Sequence, residues 1–121
     1  MKINDLMCGV YVEIPNDGYY EVYDIHYSER LEEFVVSYLK DDYDCNEYHD
    51  PVTIRYDCKI KDVKPIQITK KLLTYLKTII NDDSKINEVI KIFKCEYLHE
   101  LQIAYKLFYK EKLKINLDNY G

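Results

Sequence analysis

The hydrophobic pattern of this 121-residue chain changes period once, near Pro65, and that change limits the fold more than any other feature. Before it, β-branched and aromatic residues cluster in short runs with partial alternation; after it, apolar residues recur at steps of three and four. The pattern predicts an α+β fold in a single domain, 1–121, with a strand-rich half (1–65) and a helix-dominated half (66–121). The first half reads as an antiparallel bent sheet or an SH3-like small β-barrel, and two amphipathic helices follow it.

In the strand-rich half, Cys8 to Ile14 and Tyr19 to Tyr27 flank the turn signal Pro15-Asn16-Asp17-Gly18 and predict a hairpin. Tyr20, Val22, Asp24 and His26 alternate with Tyr19, Glu21, Tyr23, Ile25 and Tyr27, so neither face of the second run is purely polar. Glu33 to Leu39 predicts a third strand, a long acidic loop runs from Lys40 to Pro51, and Val52 to Cys58 predicts a fourth strand. A short fifth is expected at Ile60 to Val63.

Beyond Pro65, Thr69 is a candidate N-cap for a helix carrying Leu72, Leu73, Leu76, Ile79 and Ile80, and ending near Asn81-Asp82-Asp83. Leu98, Leu101, Ala104, Tyr105 and Phe108 predict a second helical stripe. Glu88 to Lys94 fits either period, and its β-branched content favours a strand. Lys112 to Leu117 is read as a closing strand.

Fourteen tyrosines, with no Trp and only 3 Gly, make the expected core partly phenolic, and the Lys, Asn and Ile content suggests an AT-rich genome. Asp5 interrupts any apolar run at the start, and no stretch approaches the roughly 20 apolar residues that span a bilayer. The expectation is a cytoplasmic protein of a bacterial cell, or one associated with a virion, whose four cysteines stay reduced. Residues 1–65 hold 15 acidic and 7 basic side chains, a net of −8, whereas 66–121 hold 7 acidic and 10 basic, a net of +3. The acidic half repels phosphate backbones, which argues against direct nucleic-acid binding there and for a protein partner.

His99-Glu100-Leu101-Gln102-Ile103 approaches a zinc-protease helix but has Ile103 where the second His must stand, so no pair of imidazoles forms. His99 is expected instead to pack on the sheet with a hydrogen-bonded ring. Cys45, His49 and Cys58 offer soft ligands at a permissible Cys-x3-His spacing, with Asp50 or Cys8 as a fourth, but the second tight pair of a structural zinc site is absent. Unligated thiols, and no metal or cofactor, are expected. Asp41, Asp42, Tyr43, Asp44, Glu47 and Tyr48 form an acidic-aromatic patch, the candidate partner-binding site. Lys91, Lys94, Lys106, Lys110, Lys112 and Lys114 read as a solvated basic face. An enzyme would instead need a deep pocket lined by His26, His49 or His99 and a carboxylate.

Two stretches carry a resemblance: Asp62-Val63-Lys64-Pro65-Ile66-Gln67-Ile68-Thr69 with Leu72 and Leu73, and Tyr97-Leu98-His99-Glu100-Leu101-Gln102 with Tyr105 and Leu113. They resemble small uncharacterised proteins of Bacteroidetes and their tailed phages, which have a K-P-I-P-L-T helix start and a later Y-V-H-Q-L-Q-N-L-Y helix. The chain departs from that pattern at Gln67, at Lys110 where glycine is usual, and in a shorter connection from Asn81 to Glu96. Without the glycine, the last helix is expected to run a turn further. The resemblance implies a phage or mobile-element accessory protein, non-enzymatic and protein-binding: a virion or assembly component, or a host-factor inhibitor. Homo-oligomerisation and acidic mimicry of nucleic acid stay open as alternatives.

Overall fold

The computed structural model describes residues 1–42, 52–80, 84–117 and 120. Its elements are β1 (Tyr11–Ile14), β2 (Gly18–Glu21), β3 (Asp24–Ser28), β4 (Glu33–Asp42), β5 (Val52–Lys59), α1 (Lys70–Ile79), α2 (Ser84–Phe93) and α3 (Leu98–Tyr109). The fold is α+β, with a bent antiparallel strand assembly followed by helices, and among the described residues the strands do not close into a barrel.

β1 and β2 form the expected hairpin, with Ile14 opposite Gly18. Gly18 takes φ +136°, a backbone conformation that side chains resist. Asp17 in that turn accepts hydrogen bonds from the Tyr20 and Tyr38 hydroxyls at 3.0 and 2.9 Å and from Lys40 Nζ at 2.6 Å, tying the turn to β4. Burial alone would raise the Asp17 pKa, but these donors outweigh it and hold the carboxyl below its ordinary value.

The second run is not one strand. Val22 still exchanges backbone bonds with the segment before β1, Gly9 N to Val22 O at 2.8 Å and Val22 N to Val10 O at 2.8 Å. Tyr23 N already donates to Ser37 O of β4 at 2.9 Å, so the chain switches sheets within one residue. β3, β4 and β5 then form the larger sheet in that order, all antiparallel. Ile60–Asp62 is a single 3-10 turn rather than a fifth strand.

Side-chain alternation along β1 serves two cores. Val10, Val12 and Ile14 pack with Val22, Val36, Tyr38, Ile60 and Val63 beneath the larger sheet. Tyr11, facing the other way, joins Leu72, Leu76, Ile86, Val89, Leu98 and Leu101 among the helices. The extended segment 64–68 connects the two sides: Glu13 and Lys64 exchange backbone bonds at 2.9 and 3.0 Å, Ile68 N donates to Glu96 O, and Leu98 N donates to Ile66 O.

Thr69 caps α1 as expected, its hydroxyl accepting from Leu72 N at 3.2 Å. Glu88 to Lys94, read as a strand, lies instead in and just beyond α2. Ile86 and Val89, three residues apart, bury on one face, and this packing overrides the modest β preference of the branched residues. Lys112 to Leu117 likewise forms no strand; Leu113 and Leu117 drop into the helical core from an irregular return. Lys110 adopts φ 58°, ψ 28° and ends α3 where glycine would, so the helix does not run on.

Candidate functional site

α3 buries Leu98, Leu101, Ala104 and Tyr105 on its inner side. Gln102 reaches β1, where its Oε1 accepts from Tyr11 N at 2.8 Å and its Nε2 donates to Gly9 O at 3.2 Å. Phe108 belongs to the inner stripe by spacing but is 43% exposed, and Leu107 beside it is 68% exposed. Phe93, at the end of α2, is 44% exposed and meets Phe108 edge-on at 6.1 Å. Large apolar groups left in water at adjoining positions mark a contact surface more than a chance of composition.

Two depressions run along this face. One of about 430 Å³ is lined by Met7, Ile103, Lys106, Leu107 and Lys110. The other, about 320 Å³, shares Ile103 and Leu107 and extends to Phe93, Cys95, His99 and Asp5. Together they make an apolar trough with a basic end, because Lys106 and Lys110 stand one helical turn apart, both exposed, and neither makes an ion pair among the described residues. Its other end is acidic: Glu100 accepts from the backbone N–H groups of Tyr97 at 2.9 Å and Glu96 at 3.1 Å, closing the start of α3.

His99 lies beside that acidic end, buried, with the Tyr97 ring stacked on it at 5.9 Å. At Nδ1, a buried ring nitrogen, no hydrogen bond is made among the described residues. Burial pushes its pKa down, against smaller upward pulls from Glu100 and Asp5. Cys95 is not an activated nucleophile here, since burial and then Glu100 push its thiol up.

His26 stands elsewhere, on the open face of the larger sheet. Its Nδ1 lies 3.1 Å from Asp24 and its ring 3.3 Å from Arg55 Nη2. Arg55 Nε donates to Ser37 Oγ at 3.1 Å, and Ser37 donates to Asp57 at 2.6 Å. This chain of bonds crosses β3, β4 and β5. Ser37 is fully buried beneath it, so its hydroxyl has no approach for a substrate.

Of the acidic-aromatic patch, Asp41 is exposed at the end of β4 and accepts from Thr53 Oγ at 2.8 Å. Asp42 is the last residue of β4, and Tyr43, Asp44, Glu47 and Tyr48 lie outside the described residues. Cys45 and His49 lie outside them too, so the zinc reading is untouched at that end; Cys58 sits half-buried on β5, its thiol pushed up by burial and by Asp62. Among the described residues no three His, Cys, Asp or Glu side chains gather as a metal site, and no helix is long and apolar enough to cross a membrane.

The apolar trough was readable only in part. Ile103 and Leu107 form an i, i+4 pair off the main stripe of α3, but Met7 and Phe93 reach it from elements remote in sequence. No family model matches the chain, and no match is found among curated proteins or solved structures.

Proposed function

We propose that this chain is a non-enzymatic protein-binding module whose docking surface is the trough along α3, and that it takes an acidic amphipathic helix of a partner protein. The observation that carries the reading is the exposed pair Phe93 and Leu107 above an apolar floor, with exposed Phe108 edge-on to Phe93, ended by Lys106 and Lys110, which make no ion pair among the described residues. An amphipathic helix in such a groove places its apolar stripe on Ile103 and Leu107, and carboxylates on its flank meet the two lysines. The buried Ser37 and the unactivated Cys95 support a binding role over nucleophilic chemistry. The setting that belongs to this reading is the cytoplasm of a bacterial host, or the virion of a tailed phage, with the chain as an accessory protein.

The test is capture of the partner from the native cell or infected culture by tagged wild type, Leu107→Asp and Tyr27→Ser, followed by affinity measurement and crosslink mapping. Tyr27 is an exposed aromatic residue on the larger sheet, outside the trough. We expect Leu107→Asp to weaken binding about 30-fold or more, the loss of one central anchor of about 2 kcal/mol, and Tyr27→Ser to bind as wild type. A partner held equally by Leu107→Asp, or crosslinked through a basic segment, would overturn the reading.

A further inference from the structure

β5 is an edge strand eight residues long, Val52–Lys59, with β4 on one side. In an antiparallel pair alternate residues turn their N–H and C=O groups outward, about four residues here. Among the described residues no other backbone group bonds to that outer edge. Chains protect such an edge with charged side chains, proline, a bulge or a covering element. β5 contains no proline, and its open-face side chains run Thr53, Arg55, Asp57, Lys59, charges of both signs that repel a second strand in some registers and complement it in others.

We propose that β5 pairs antiparallel with β5 of a second copy of this chain, joining two three-stranded sheets into one of six strands. A two-fold axis through such a junction stands perpendicular to the sheet and keeps each face on its own side. Residues opposite each other must therefore share a face, which leaves registers centred on single residues. Centring on Arg55 opposes it to itself. Centring on Asp57 opposes that carboxylate to itself and Arg55 to Lys59. Centring on Tyr56 sets Arg55 opposite Asp57 twice, Thr53 opposite Lys59 and, on the other face, Ile54 opposite Cys58. Of these central registers it alone matches charge to charge and apolar to apolar. The surface is separate from the trough on α3, so the inference does not depend on the function proposed above.

The test combines charge reversal with a register-specific crosslink. Sedimentation velocity across a concentration series is expected to give a weak dimer of wild type. Arg55→Asp and Asp57→Arg alone should each weaken it on the order of tenfold or more, because both symmetric pairs become repulsive, and the double exchange should restore it. Circular dichroism checks that each variant keeps its fold. Independently, Ile54→Cys treated with an oxidant is expected to give a disulfide between the introduced thiol and Cys58 of the second copy. Opposed residues stand within the 4.4–6.8 Å that a disulfide needs, whereas four residues along one strand span about 13 Å and cannot close. Wild type that stays monomeric throughout the series, a dimer indifferent to both reversals, or a crosslink to any cysteine but Cys58 would overturn the proposal.

Discussion

His99 shows how one buried ring couples packing to pH. Its lowered pKa means that the unfolded chain takes up a proton near pH 6.5 while the folded chain still refuses it. Protons bound by the unfolded state draw the equilibrium towards it, so this contribution is whole above about pH 6.5 and is lost as pH falls towards the folded value. Replacing an unpaired buried polar group with an apolar one removes that cost. His99→Leu is expected to be as stable as wild type at pH 7, or up to about 1 kcal/mol more so, and to lose less stability between pH 7 and 5. Urea unfolding at both values measures it, and a variant destabilised by more than about 2 kcal/mol at pH 7 would show that the ring has a favourable partner. The sequence marks His99 as a core residue rather than a zinc ligand, because Ile103 stands at the deciding position. It gives no sign that Nδ1 goes unpaired, which depends on what the fold brings next to it.

At the scale of elements, local chemistry was legible where it is settled within a few residues and illegible where distant groups decide. Thr69 caps α1 by reaching only as far as Leu72, and the turn before Gly18 is written in four consecutive residues. The break between β2 and β3 has no local signal, since it follows from Val22 bonding to Gly9 and Val10 while Tyr23 bonds to Ser37. α2 was obscured because branched residues weaken its helical signal, and only the burial of Ile86 and Val89 against other helices settles it. Its end is also costly: Lys94 sits at φ 52°, and Cys95 N closes on Ile90 O at 3.3 Å, a termination that favours glycine. Lys94→Gly is therefore expected to stabilise the protein by about 0.5–1 kcal/mol, read as a higher urea midpoint with an unchanged slope. A lower midpoint would mean that the Lys94 side chain contributes more than its backbone strain costs.

For the whole molecule, the decisive feature is that one short strand belongs to both cores. Val12 packs beneath the larger sheet, Tyr11 packs among the helices, and Gln102 of α3 holds the backbone of β1 from the helical side. The change of period near Pro65 foretold two regions of different structure, but it could not foretell that the first hairpin would stand between them. The same distance effect hid the trough, whose walls come from the N-terminal segment, α2 and α3 together. If β1 ties the halves, weakening its link to α3 must loosen both. Gln102→Leu leaves Tyr11 N and Gly9 O without this side-chain partner; the first bond is buried and the second part-buried, a lost bond to a buried group costs about 1–3 kcal/mol and the second costs less, so a loss of roughly 2–4 kcal/mol is expected. Native-state hydrogen exchange resolves where it falls: the most protected amides of β4 and of α1 should speed up by the same factor, as they do when both exchange through global unfolding. Faster exchange confined to α1, α2 and α3, with β4 unchanged, would show instead that the helices open while the sheet stays folded, and that Gln102 is a local fastening only.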